Sequence, residues 1–170
     1  MRRVLSIAAL VAVSCAAAQA QVGVYAAFGA ADFHQPNVNW QYGPMAGLYW
    51  NALGVPFVKA GVDLRGSWMG TGDAQDDGYL AGPRVQIHPH VLPLMPYAEA
   101  LGGVSRVVVG QGSAQTAGTK FSYALVAGLD ATIFPHVDWR VVDYSWQRVE
   151  GLGIGFQPTQ ISMGLVVRLP

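Results

Sequence analysis

Pro158-Thr159-Gln160-Ile161-Ser162-Met163-Gly164-Leu165-Val166-Val167-Arg168-Leu169 is the stretch whose reading decides the fold. Thr159, Ile161, Met163, Leu165, Val167 and Leu169 share one parity; Gln160, Ser162, Gly164, Val166 and Arg168 share the other. A period of two sends alternate side chains to opposite faces, so this is a β-strand with one apolar and one mostly polar face. A strand this regular needs partners on both edges, or it leaves an open template for other chains. It is therefore expected to close a barrel.

Seven further stretches alternate in the same way from Gln21 onward. Val22 to Ala30 sets Val22, Val24, Ala26 and Phe28 against Gly23, Tyr25, Ala27 and Gly29. Trp40 to Trp50 carries Trp40, Tyr42, Ala46, Leu48 and Trp50 on its apolar face. Phe57 to Trp68 is the clearest: Val58, Ala60, Val62, Leu64 and Trp68 oppose Lys59, Asp63, Arg65 and Ser67. Tyr79 to His88 sets Tyr79, Ala81, Val85 and Ile87 against Arg84, Gln86 and His88. Met95 to Val107 has a small-residue face of Ala98, Ala100, Gly102 and Val104, with Tyr97 and Glu99 opposite. Phe121 to Ile133 sets Phe121, Tyr123, Leu125, Ala127, Leu129 and Ile133 against Ser122, Gly128 and Asp130. Val137 to Gln147 changes phase near Val141-Val142, where one extra residue, a β-bulge, puts Arg140, Asp143, Ser145 and Gln147 on one side and Trp139, Tyr144 and Trp146 on the other.

Composition points the same way. Of the 170 residues, 52% are hydrophobic and only 12% charged, about half the charged share of an average soluble domain. No internal run approaches the ~18 apolar residues of a membrane helix. Apolar residues spaced alternately along membrane-crossing strands reconcile these facts. The formal net charge of zero argues against nucleic acid as a partner. Residues 1–20 have the form of a signal peptide, with Arg2 and Arg3, an apolar core from Val4 to Ser14, and Ala18-Gln19-Ala20 before the cut. The predicted domain is therefore 21–170. Cys15, the single cysteine, lies inside the signal; lipidation at that residue is the alternative to cleavage after Ala20.

Connections and aromatics add independent support. Long polar stretches at 31–39, 69–78, 108–120 and 148–157 alternate with short ones at 51–56, 89–94 and 134–136. Long extracellular loops and short periplasmic turns alternate in this way in outer-membrane barrels. Phe28, Trp40, Trp68, Tyr79, Phe121, Tyr123 and Trp146 have outward parity near the loop ends, and Trp50 and Trp139 near the turn ends. Two such girdles mark the membrane interfaces. Pro44 and Pro83 fall within strands and lack the N–H that a closed ladder needs, so a local bulge is expected at each.

Three pieces carry a resemblance to the OmpA-type eight-stranded outer-membrane barrel family. Pro96-Tyr97-Ala98-Glu99-Ala100-Leu101-Gly102-Gly103 is similar to its mid-barrel strand. Gly128-Leu129-Asp130, Pro135-His136 and Trp139-Arg140-Val141-Val142-Asp143-Tyr144 resemble its penultimate hairpin. Ser162, Gly164, Val167 and Leu169 fit the closing-strand signal for the outer-membrane assembly machinery, without a terminal aromatic. The resemblance implies an all-β, antiparallel, up-and-down transmembrane barrel after a cleaved signal peptide, integral to a bacterial outer membrane. It also implies membrane lipids, lipopolysaccharide and the assembly machinery as partners.

The inward parity collects Lys59, Asp63, Arg65, Arg84, Glu99, Asp130, Arg140, Asp143 and Arg168. An eight-stranded barrel is only wide enough for side chains to fill it, so these charges are expected to pair as a polar plug. The expected role is structural, in envelope integrity or surface interaction through four loops. A second reading makes the ion pairs a gate in a narrow channel, so that changing Glu99 or Arg140 would alter conductance. A third is a soluble, lipocalin-like ligand barrel, whose large apolar residues would point inward. No enzyme, cofactor or metal site is expected. His34 on a loop after Asp32 lacks a His-x-Ser partner, and His88-x-His90 lacks a close third ligand. The acidic stretch Gly70 to Gly78 lacks calcium-loop spacing and is expected to be a solvated loop.

Overall fold

A computed structural model describes residues 21–34, 40–71, 74–89, 92–109, 116–151 and 157–169. The signal segment lies outside them. Eight strands follow in order: β1 (Gln21–Asp32), β2 (Gln41–Val55), β3 (Val58–Thr71), β4 (Ala74–Ile87), β5 (Leu94–Val109), β6 (Thr116–Phe134), β7 (Val137–Val149) and β8 (Thr159–Leu169). Each pairs antiparallel with the next, and β8 returns to β1 to complete a closed barrel. Closure runs from Val22 opposite Leu169 to Asp32 opposite Thr159.

Parity sorts the two faces as the alternation requires. Phe28, Leu125 and Met163 stand 60%, 56% and 59% exposed on the wall, while Asp63, Arg84, Asp130, Arg140 and Asp143 are 0% exposed inside. This inversion of the usual soluble arrangement is stable only where hydrocarbon covers the wall.

Several strands run further than the alternation predicts. β4 begins at Ala74 rather than Tyr79, and β6 at Thr116 rather than Phe121. Much of 69–78 is therefore hairpin, not loop, with Met69 opposite Asp76 and Gly70 opposite Gln75. A strand of 19 residues such as β6 rises on the order of 45 Å at a ~45° tilt, well past the ~25 Å apolar band. Beyond that band the outer face is wet, so apolar alternation stops while backbone pairing continues.

The bulge in β7 lies where expected. Leu129 faces Val142 and Asp130 faces Arg140, which leaves Val141 as the extra residue. The expected bulges at Pro44 and Pro83 are absent. Pairing of β2 with β3 instead begins at Met45, and β4–β5 pairing passes from Ala81/Gly102 to Arg84/Glu99 with no change of register. Each proline follows a glycine. A Cβ on Gly43 would collide with the Trp68 carbonyl, and one on Gly82 with the Ala100 carbonyl. The facing carbonyls lie nearly as close at Gly61, Gly103 and Gly164, which precede no proline, so these are close strand approaches that only glycine permits.

Candidate functional site: the barrel lumen

Inward side chains make the most concentrated chemistry in the molecule. β3 supplies Asp63 and Arg65, β4 Arg84, β5 Tyr97 and Glu99, β6 Asp130, and β7 Arg140 and Asp143. Arg65 grips Asp143 with two hydrogen bonds, Nη1 to Oδ1 at 2.9 Å and Nη2 to Oδ2 at 2.8 Å, and reaches Glu99 at 2.8 Å. Arg84 bonds the other Glu99 oxygen, meets Asp130 at 3.1 Å and stands 4.0 Å from Asp63. Arg140 donates from Nε to Asp130 at 3.0 Å and lies 3.7 Å from Asp143. Thus Glu99, Asp130 and Asp143 are each shared between two arginines. Sharing matters because an ion without a partner in this setting costs several kcal/mol.

Three tyrosines complete the lattice, and glycines make room for them. Tyr49 lies opposite Gly23 and Tyr25 opposite Gly47; Tyr97 lies opposite Gly128. A Cβ on any of these glycines would strike the facing ring. The rings lie against their neighbouring strands and present their faces to the arginines. Arg84 sits 4.3 Å from the centroid of Tyr49 and 3.8 Å from that of Tyr97; Arg140 sits 4.0 Å from Tyr25. Such stacking is worth ~2 kcal/mol once water is excluded. The Tyr25 hydroxyl donates to Asp63 at 2.8 Å and that of Tyr97 to Asp143 at 2.5 Å.

Seven of the nine charges expected in one network meet in this lattice; Lys59 and Arg168 do not. Lys59 sits toward the turns, where its Nζ donates to the Gln21 side chain at 2.8 Å. Arg168 pairs with Asp138 at 2.9 Å, without an aligned hydrogen bond. Asp138 is fully buried and was hidden from parity by its place beside the 134–136 turn. Asp76 is also inside, 4% exposed, with Gln147 at 3.5 Å and no cation within ion-pair distance among the described residues. The expected solvated acidic loop is thus corrected, since Asp76 turns into the barrel. With Asp76 and Asp138 added, the lumen holds five basic groups and six carboxylates rather than four.

The ion-pair lattice fills only part of the height. Above it, toward the loops, the lumen is mixed: Ala31, Phe33, Met45, Met69, Ala74, Val107 and Val149 form one buried cluster with Tyr25, beside buried Gln41, Asp76, Ser105, Ser122, Gln147 and Gln160. Phe33, Met45 and Val107 are each 1% exposed.

The other named residues fall as follows. Phe28, Trp40, Trp50, Trp68, Tyr79, Phe121 and Trp139 are exposed on the wall. Tyr123 and Trp146 are half-buried there, edge to face at 6.2 Å. Phe57 and Phe134, which alternation did not single out, are exposed at two short turns. In the closing-strand signal, Ser162 and Gly164 have the inward parity while Val167 and Leu169 face out. His34 lies 3.8 Å from Asp32, and no hydroxyl is bonded to either among the described residues. His90 falls outside the described residues, which contain no cluster of three metal-ligand types.

Solved structures share this geometry. Neisserial surface protein A matches with a TM-score of 0.60 and 17% identity, over 87% of this chain and 96% of that one. Ail, the attachment invasion locus protein of Yersinia pestis, matches with a TM-score of 0.59 and 11% identity, over 88% and 97%. This is the fold of the small outer-membrane barrels. The outer membrane enzyme PagL has it too, with a TM-score of 0.53 and 16% identity, over 85% of this chain and 98% of PagL. No protein-family model and no curated protein matches the sequence.

Proposed function

We propose that this chain is an integral protein of a bacterial outer membrane, acting as a closed scaffold that holds four loops at the cell surface. One observation carries the reading: the described strands turn large apolar side chains outward, while Asp63, Arg65, Arg84, Glu99, Asp130, Arg140 and Asp143 are buried within a closed sheet. Lipocalin-like ligand binding lacks support, because the lumen is filled and the large apolar residues face out. The channel reading draws no support either. Arg65, Arg84 and Arg140 are held by carboxylates from several strands, and a layer of buried side chains that includes Phe33, Met45, Met69 and Gln147 covers them on the loop side.

The enzyme PagL shares the fold, so the fold alone does not decide against catalysis. Our reading is non-enzymatic: His34, 3.8 Å from Asp32, has no hydroxyl bonded to either group among the described residues. Lipids and lipopolysaccharide are the proposed surroundings of the wall, and the assembly machinery is the proposed partner of β8.

Fractionation with heat-modifiable migration tests this reading. The protein is expected in the outer membrane, and its unboiled form is expected to run faster in detergent gels. Recovery from the soluble periplasm would overturn it. Planar bilayers test the scaffold against the channel. Wild type, Glu99→Gln and Arg140→Gln are all expected to hold a closed baseline, and discrete conductance steps that change with either substitution would favour the channel.

A further inference from the structure

Low on the loop-side half of the wall, a groove of about 500 Å³ runs across β2 to β5. Its outward floor is Gly66, Ala81 and Gly102, with Leu48 and Leu64 toward one end. Rigid aromatic walls stand around it. The Trp68 indole folds down over Gly66, 2.9 Å from where a Cβ would stand. Trp68 Nε1 donates to the Tyr79 hydroxyl at 3.0 Å, and the two rings meet edge to face at 5.9 Å. Phe121 leans in from β6, its ring tip 3.7 Å from the Cβ position of Gly102. A groove on a lipid-covered wall is filled by hydrocarbon, and fixed walls select a chain of defined path over fluid solvent.

The head of that chain is indicated by charge. Arg106 lies on the same outward face of β5 as Gly102, four residues nearer the loops, or about 13 Å along the strand. It is exposed and makes no ion pair among the described residues. Asp77, directly across the ladder, is half-buried; Gln75 holds its Oδ2 at 2.8 Å, its Oδ1 has no hydrogen-bond partner among the described residues, and it makes no ion pair with Arg106. Arg106 is therefore the cation presented at headgroup level above the aromatic pair. A guanidinium there matches a phosphate, with planar donors set for its oxygens.

We propose that this groove binds one acyl chain of a phosphorylated outer-leaflet lipid, with the phosphate on Arg106. The inference rests on the outer-membrane reading above. The test uses the detergent-refolded barrel and two probes with brominated chains, a phosphatidic acid and a diacylglycerol. Bromine quenches nearby indoles, and the wild-type signal minus that of Trp68→Phe isolates Trp68.

Phosphatidic acid is expected to quench Trp68 at about tenfold lower concentration than diacylglycerol, as a charge-assisted phosphate contact requires. Arg106→Gln is expected to erase that difference, and Asp77→Asn to keep it. Gly102→Leu fills the groove without touching backbone and is expected to weaken both probes. Ala127→Leu, facing outward on β6 away from the groove, is expected to weaken neither. Equal quenching by the two probes in wild type, or equal weakening by Gly102→Leu and Ala127→Leu, overturns the proposal. Heat-modifiable migration of each variant checks its folding. A protein that fractionates to the outer membrane yet fails these assays rejects the groove alone.

Discussion

The middle of the lumen and its loop-side third fill the same cylinder by different means. In the middle, Arg65, Arg84 and Arg140 are held by four carboxylates and three tyrosine rings, each contact fixed in direction. Near the loops, Phe33, Met45, Met69 and Val107 fill space with flexible or rounded side chains, beside a smaller hydrogen-bonded set of Ser105, Ser122 and Gln147 and without a buried arginine among the described residues. The first solution specifies strand register, because a shifted strand would strand a charge. The second has few charges to misplace, and its methionines adapt to irregular gaps at little cost.

The sharpest way to break this contrast is Arg65→Met. It leaves Asp143 and Glu99 short of a cation, and about 3–5 kcal/mol of stability should be lost, read from urea unfolding in detergent. Leu64→Arg, one residue away but facing lipid, should cost about 2–4 kcal/mol in bilayers; in the lumen an arginine is supported, and on the wall it is not. Tyr25→Phe removes the donor to Asp63 Oδ1 and should cost about 1–3 kcal/mol, with migration unchanged. Met69→Leu should cost under about 1.5 kcal/mol. If Met69→Leu proves as damaging as Arg65→Met, the two regions do not differ in the way described.

What was legible in the sequence follows the same division. Strand faces and the charged middle could be read because within the bilayer an outward residue must be apolar and an ionised one must hide. The phase change at Val141-Val142 was visible for the same reason. Outside the apolar band the signal fails. Gln75, Asp77 and Thr119 are as polar as a loop, so the ends of β4 and β6 were invisible to alternation, and Asp76 went with them. The apolar members of the loop-side layer were missed because inward was equated with polar, whereas Met69 and Val107 only need to face other side chains. The glycine–tyrosine pairs needed the register, since Gly23 and Tyr49 are far apart in the chain and meet only across β1 and β2.

Val141 has a role out of proportion to its side chain. In an unbroken strand, residues three apart point to opposite faces, yet Arg140 and Asp143 are both fully enclosed. One surplus residue acts as a parity correction. Excise it, and everything from there to Val149 is turned inside out: a carboxylate and an amide meet oil, and two aromatic anchors are driven into a space already full. The inward–outward sorting of the loop-side half of β7 thus hangs on a count of one.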